Sequence, residues 1–194
     1  MATIGIKYLA VAPLKTEVDG QLPTYDPGRK IGHLMSANLT WNRGSAALNG
    51  DNAEVEHDNT ITSGDMTVGT TYIDIDGRKM VLGETEFGTP ETGAPQEYAT
   101  GDEPSPYLGT GFVEKDSGDG NPVYIAWWYW KTQYGMNENK TTRGESTEFQ
   151  APELDCHILA VRPLANLKNK FRVFAEFDNE ADAIAWVKAK AGIQ

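Results

Sequence analysis

The sequence has little cysteine, little basic charge and no long apolar run, and each shortage excludes a class of protein. Cys156 is the only cysteine in 194 residues, so we expect no internal disulfide and no zinc site built from several thiolates. The 17 Lys and Arg residues face 28 Asp and Glu residues, which gives a formal net charge of −11. Such a surface neutralises few phosphates, so general nucleic-acid binding is not expected.

The chain also lacks the marks of a membrane or exported protein. No segment approaches the ~20 apolar residues of a membrane-spanning helix, and the N-terminus has no basic segment followed by an apolar run. We therefore expect no membrane partner and synthesis in a reducing cytosol.

Motifs for catalysis are missing as well. None of the three histidines, His33, His57 and His157, has the spacing of a metal-binding motif. Cys156 and His157 are adjacent, and adjacent residues of a strand point to opposite faces, so we expect a buried Cys156 rather than a nucleophile and base. Residues 109–111 (GTG) lack the third glycine of a dinucleotide loop. We expect no enzyme activity, no catalytic residue, no cofactor and no bound metal.

Alternation of apolar and polar residues dominates the chain and predicts strands. The predicted segments and their buried faces are 34–41 (Met35, Ala37, Leu39, Trp41), 154–161 (Leu154, Cys156, Ile158, Ala160), 171–177 (Phe171, Val173, Ala175, Phe177) and an N-terminal run (Ile4, Ile6, Tyr8, Ala10). Twenty glycines and ten prolines are typical of a β protein rich in turns.

Two turn signals predict hairpins. They are Asn49-Gly50-Asp51 and Asp119-Gly120-Asn121, and the second joins residues 107–116 to 122–132. Residues 84–106 show little periodicity and predict a long loop.

One helix is predicted over residues 179–191. Asp178 or Asn179 can cap it, and Gly192 follows its last turn. Its apolar stripe consists of Ala183, Ile184, Val187 and Ala191, and Trp186 lies about 100° away from that stripe. The pattern as a whole predicts a single domain over 1–194 of mainly β (α+β) class, a two-layer antiparallel β-sandwich or barrel with one flanking C-terminal helix and extended loops.

Residues 127–130 (WWYW) are the densest aromatic feature. On a strand, Trp127 and Tyr129 lie on one face and Trp128 and Trp130 on the other, so both faces need a cover. Burial under the C-terminal helix, contact with another subunit and a platform for sugar rings are the three interpretations. Candidate subunit contacts are Trp128, Trp130 and Trp186.

Several segments in a fixed order carry a resemblance to a known family. They are residues 1–9 (MATIGIKYL), 31–32 (IG) with 36–40 (SANLT), 58–59 (DN) with 63–69 (SGDMTVG), 144–154 (GESTEFQAPEL) and 177–187 (FDNEADAIAWV). With this order and spacing the chain resembles the major tail (tail tube) proteins of long-tailed bacteriophages and prophages. The resemblance implies a β-sandwich with a flanking helix that closes into hexameric rings, and the rings stack into the tube through which DNA passes.

The resemblance also implies partners and a location. The partners are further copies of the chain, the tape-measure protein, and the tail terminator and distal tail proteins, while DNA passes without specific binding. The protein is expected in the virion tail after synthesis in the host bacterial cytoplasm. Two alternatives stay open: a carbohydrate-binding β-sandwich module, and the tube protein of a related injection or secretion machine.

Two further expectations accompany the resemblance. It implies a short helix within residues 71–82, which Asp76-Gly77 interrupts with a predicted turn. Residues 42–60 are too polar for a core and predict a projecting hairpin or loop. The resemblance implies that such hairpins reach neighbouring subunits, and a hairpin that is only solvated is the alternative. Four carboxylates of this segment form a candidate lumen or inter-ring surface: Asp51, Glu54, Glu56 and Asp58.

Overall fold

The structure is a computed structural model and describes residues 3–44, 46–50, 53–88, 96–102, 104–116, 122–136, 152–166 and 168–194. The strands are β1 Thr3–Thr16, β2 Thr24–Tyr25, β3 Arg29–Lys30, β4 Leu34–Arg43, β5 Ala46–Gly50, β6 Ala53–Asp58, β7 Ile61–Thr70, β8 Thr85–Phe87, β9 Glu97–Ala99, β10 Tyr107–Asp116, β11 Val123–Gly135, β12 Glu153–Ile158 and β13 Arg172–Phe177. The helices are α1 Ile75–Leu82 and α2 Glu180–Ala191. Residues 144–151 of the family motif, Asp51 and the turn at 119–121 lie outside the described residues.

Nine of the described strands form one antiparallel sheet in the order β2-β1-β10-β11-β12-β7-β4, with β3 beside β1 and β13 beside β11. Buried side chains of β1 and β10, such as Leu9 and Phe112, share one apolar cluster with Met66 of β7 and Leu154 of β12. The sheet therefore folds over on itself and encloses this core. The predicted mainly β, antiparallel class with a flanking C-terminal helix is confirmed.

Strand β11 is long enough to belong to both layers. Its first half, Tyr124 to Tyr129, pairs with β13, and its last residues, Thr132 to Gly135, pair with β12. The predicted pairing of 107–116 with 122–132 is confirmed as the β10–β11 ladder.

Two register shifts overturn predicted faces. Tyr8 has φ 61°, and the β1–β10 register shifts between Lys7 and Ala10. This bulge changes the parity of the strand, so Ile6 packs on the core between the layers while Tyr8 and Ala10 pack under α2. The predicted shared face of these residues is wrong for that reason.

The same kind of shift affects β4. Its register with β7 shifts between Leu34 and Ser36, which buries Leu34 and leaves Met35 57% exposed. The prediction that Met35 is buried is therefore wrong. In β12 the predicted face is confirmed, because Leu154, Cys156 and Ile158 are all buried.

Helix α2 is confirmed within one residue of its predicted limits. The Asn179 side chain accepts a hydrogen bond from the Asp182 N–H at 2.8 Å, and Gly192 ends the helix in the left-handed conformation. Ala183, Val187 and Ala191 are fully buried. These small residues let α2 lie close to the outer face of β10 and β11, and together they form a second apolar cluster.

The segment 71–106 contains more regular structure than predicted. Helix α1 runs through Asp76-Gly77, because the Asp74 carboxylate caps it by accepting from the Gly77 N–H at 2.9 Å. The predicted turn there is wrong, and the fold has two helices in its described part instead of one. Strands β8 and β9 form a hairpin inside the predicted 84–106 loop. Neither α1 nor α2, the two helices of the described residues, has the length and apolar character of a membrane span.

Candidate functional site

A hairpin arm is the most distinctive feature outside the sandwich. β4 pairs with β7 from Leu34–Thr70 to Arg43–Ile61, and β5 pairs with β6 from Ala46–Asp58 to Gly50–Ala53. Because β5 follows β4 and β6 precedes β7 in the chain, the β5–β6 ladder continues the β4–β7 ladder. We call residues 46–58 the arm. In the described part of the chain, β5 and β6 pair only with each other.

The arm reaches well past its nearest structural support. β12 pairs with β7 only from Gly64 to Gly69, so the two-stranded ladder continues alone from Ile61 outward. β5 has five residues and β6 has six, which corresponds to roughly 17–20 Å of extended chain. The predicted hairpin signal at Asn49-Gly50-Asp51 agrees with the β5–β6 pairing of the described residues.

Acidic residues occupy alternate positions of the arm. Glu54, Glu56 and Asp58 stand at every second position of β6, opposite Asn49, Leu48 and Ala46. The register shifts between Leu48 and Asn49, so Glu56 and Glu54 stand opposite adjacent residues of β5 and the alternation is broken between them. Asp51, the fourth predicted residue, lies outside the described residues.

Trp128 is completely buried beneath α2, which corrects its assignment as a candidate subunit contact. Its indole lies over Gly109 and Gly111, and a Cβ atom at these positions would come within 2.4 Å and 2.6 Å of indole carbons. Tyr25 meets the indole edge-on with the ring centroids 5.3 Å apart. The single chain therefore covers this side chain fully, and the interpretation as intrachain burial under the helix is confirmed for it.

Trp130 and Trp186 are only partly covered. Both pack against the cluster beneath α2. The Trp186 ring lies 6.5 Å from that of Phe177, and the Lys190 ammonium stands 5.2 Å from the indole centroid. Their remaining exposure keeps both as candidate contact residues.

Sequence reasoning missed a partly open aromatic patch at one end of the sandwich. Trp127 of β11 faces Phe174 of β13, with centroids 4.8 Å apart, and Phe174 is 53% exposed. The Arg172 guanidinium lies 4.0 Å from the Trp127 ring and 5.3 Å from that of Trp41 on β4. A cation held over tryptophan faces beside an exposed phenyl ring has the composition of an interface hot spot.

A shallow groove of about 530 Å³ with a mixed polar and apolar lining runs across β7, β11 and β12. At its wall His157 Nδ1 lies 2.6 Å from Asp65 Oδ1, and this contact, with a hydrogen bond from Asn42, lowers the pKa of Asp65. Cys156 also borders the groove, but burial raises the pKa of its thiol to about 12. Cys156 is buried and His157 exposed, as predicted for neighbours on a strand, so they do not form a nucleophile and base pair.

The described residues contain no group of three or more His, Cys, Asp or Glu side chains placed to hold a metal ion. Comparison with protein-family models finds no match, and comparison with curated proteins finds no significant match. The arm, the aromatic patch and the acidic balance of the chain are therefore the features on which a functional argument can rest.

Proposed function

We propose that this protein is a structural subunit that assembles into stacked hexameric rings and forms the tail tube of a long-tailed bacteriophage. The observation that carries the proposal is the arm, a two-stranded extension of the β4–β7 ladder, roughly 17–20 Å long, that pairs with no other described strand. An isolated two-stranded hairpin is marginally stable in water, so an arm of this length is best explained by a partner surface.

The free strand edges of the sheet support the same function. β4 ends the sheet order, and in the described part of the chain no strand covers its outer side. Exposed edges invite pairing with other chains, and closing a ring removes them. Contacts between unlike surfaces close into a ring when the rotation fits, and they continue as a filament when it does not. Stacked rings combine the two outcomes.

The charge of the chain suits a conduit for DNA. Lys and Arg contacts to phosphates would release counterions and hold the DNA in place, whereas a wall of net charge −11 per subunit disfavours such contacts. In this role DNA passes without specific binding, and the tape-measure, tail terminator and distal tail proteins are the proposed partners.

Electron microscopy of the purified protein over a concentration series tests the proposal. We expect rings or tubes in negative stain, growing with concentration or on addition of an assembly partner. Monodisperse monomer by light scattering at the highest concentration, without tubes after long incubation with partners, would argue against it.

The carbohydrate-binding alternative has lost part of its support. Trp128 is buried, and the Trp127 face is occupied by Phe174 and Arg172, so residues 127–130 do not present a platform of four rings. Binding to a glycan array would revive that alternative. The tube of a related injection or secretion machine would assemble in the same way, from stacked rings. The identity of the partner proteins would distinguish it from a phage tail.

A further inference from the structure

Tyr8 is held in a strained backbone conformation. Among the residues that the structure describes, it is the one non-glycine residue with a positive φ, 61°. Such a φ is unfavourable for a bulky side chain, and strained residues of this kind persist where their surroundings hold them and collect at functional positions. The bulge directs the ring to the side of β1 that α2 covers, where it is half-buried. The groups that meet this ring therefore bear on function.

Two ammonium groups approach the Tyr8 ring from different elements. The Nζ atom of Lys30 on β3 lies 5.8 Å from the ring centroid, and the Nζ atom of Lys188 on α2 lies 6.0 Å from it. Both distances are at the outer limit of a cation–π contact, so the ring itself neutralises neither charge. Lys30 is exposed and Lys188 is half-buried, so an external group can reach both.

No carboxylate compensates these two charges. In the described ranges of the chain, neither Lys30 nor Lys188 forms an ion pair. Glu180 lies on the same stripe of α2 as Lys188, but it is already bound by Lys7 at 2.8 Å. The dipole at the end of α2 favours a cation at Lys188, but this effect fades within the last turn and does not account for Lys30 on β3. An anion placed beside the Tyr8 ring would be attracted by both ammonium groups.

Carboxylates of a second copy suit this pair of lysines. Each copy has 28 Asp and Glu residues against 17 Lys and Arg residues, so its surface offers carboxylates that have no basic partner of their own. Opposite charges across an interface favour one mode of approach over others. Nucleic acid fits less well, because its closely spaced phosphates would extend beyond the two lysines onto an otherwise acidic protein.

We infer that Lys30 and Lys188, held on either side of the Tyr8 ring, bind carboxylates of a second copy of the chain. The inference rests on the proposed function, since it names one of the surfaces through which subunits meet. Tyr8 acts as a positioning residue, because its ring stands between the two ammonium groups. A basic site on one copy and an acidic site on the next are unlike surfaces, and such contacts propagate around a ring or along a tube.

A carbodiimide, which joins amines to carboxylates without a spacer, tests the contact directly. Copies with light and heavy nitrogen are mixed, treated and digested, so that a light–heavy peptide pair reports a contact between two copies. We expect Lys30 and Lys188 to form such links in several-fold higher yield than Lys168 and Lys170, which are exposed and have no ion pair in the described part of the chain. Equal yields from all four lysines, or no links from Lys30 and Lys188, would overturn the inference.

A charge-reversed variant measures how much the site contributes to association. Lys30→Glu with Lys188→Glu should associate about tenfold more weakly in sedimentation velocity, because attraction at two surface pairs becomes repulsion. Lys168→Glu with Lys170→Glu is the matched control, since it makes the same change in net charge at two exposed positions. Its association should fall much less. The same loss in both variants would mean that net charge, and not the site, controls association.

Two milder variants guard against a loss of fold. A glutamate at position 188 is disfavoured by the dipole at the end of α2, so Lys30→Gln with Lys188→Gln repeats the test without reversal and should weaken association about threefold. Lys30→Arg with Lys188→Arg keeps both charges, so it should associate like the wild type while losing the carbodiimide links at these positions. Circular dichroism checks the fold of each variant. A folded Arg variant that fails to associate would contradict binding through charge.

The remaining outcomes separate this inference from its alternative and from the proposed function. A labelled oligonucleotide that binds the wild type but not the Glu variant, with association unchanged, would assign the site to phosphates and overturn the inference. Tubes that form equally well from the Glu variant leave the function standing and remove the inference. Oligomers that depend on Lys30 and Lys188 but never become rings or tubes keep the inference and remove the tail-tube function. A wild type that stays monomeric at every concentration overturns both.

Discussion

Replacing Gly111 with alanine should destabilise the protein by filling the space in which Trp128 lies. A Cβ atom at Gly111 would stand 2.6 Å from Trp128 Cε3, 2.9 Å from the Trp127 carbonyl oxygen and 3.0 Å from Val187 Cγ1. Favourable contacts between carbon atoms are about 3.5–4.0 Å long. The added methyl group therefore has to displace the indole, the backbone of β11 or helix α2.

The surroundings leave the indole little room to move. Tyr25 meets it edge-on, and its Nε1 donates to the Tyr25 hydroxyl at 3.4 Å. Val187 and Ala183 of α2 close the other side, and both are fully buried. Inserting extra atoms into a packed core lowers the free energy of unfolding by about 1–3 kcal/mol. Because the neighbours of Trp128 leave it little space to shift, we expect a loss of about 2 kcal/mol.

Thermal unfolding measures this cost. For a domain of this size, 1 kcal/mol shifts Tm by about 2–4 °C, so Gly111→Ala should lower Tm by about 4–8 °C. Gly135→Ala is the matched control, because a Cβ there meets nothing within 4 Å. Equal Tm values for the two variants would refute the packing of Trp128 between β10 and α2.

Two further substitutions test the second cluster and a buried ion pair. Ile184→Ala should lower the free energy of unfolding, measured in urea, by about 1–2 kcal/mol. A fully buried isoleucine would cost about 2–5 kcal/mol, but Ile184 is only half-buried. An unchanged free energy of unfolding would mean that α2 is misplaced. Glu84→Gln should cost about 1–2 kcal/mol at pH 7, since Arg78 holds the buried carboxylate but is itself about one third exposed. The pKa of Glu84 is lowered in the fold, mainly by the hydrogen bond from Arg78, so its contribution is full above the unfolded pKa of about 4.3 and is lost as pH falls through the lower folded value. The stability difference between wild type and Glu84→Gln should therefore shrink below about pH 4, and a constant difference would contradict this assignment.

The sequence predicted most elements because their signals are local. Alternation placed β12, and the cap at Asn179 with the small stripe of Ala183 and Ala191 placed α2. The wrong predictions arise where one extra residue moves the following side chains to the opposite face of a strand. The bulge at Tyr8 leaves no mark in composition, because a single positive φ reassigns every later side chain to the other face.

Helix α1 was misread for a different reason. Asp-Gly is a turn signal, but here Asp74 caps the helix and Gly77 is needed for close packing, since a Cβ there would lie 2.7 Å from the Asp74 carboxylate and 3.3 Å from Ile31. The glycine leaves room first for the capping carboxylate and then for Ile31 of another segment, and the distance in sequence conceals the second contact.

The candidate site was predicted in part. The projecting hairpin at 42–60 agrees with the β5–β6 ladder, while the aromatic patch of Trp41, Trp127 and Arg172 was not predicted. These three residues lie far apart in the sequence, and only the pairing of β11 with β13 and the position of β4 bring them together.

The negative net charge of the chain affects how two copies approach each other. Subunits of net charge −11 repel one another at distances up to the screening length, which is about 8 Å at physiological ionic strength. Under the proposed function, assembly therefore has to overcome this repulsion, and added salt, which screens it, should favour association.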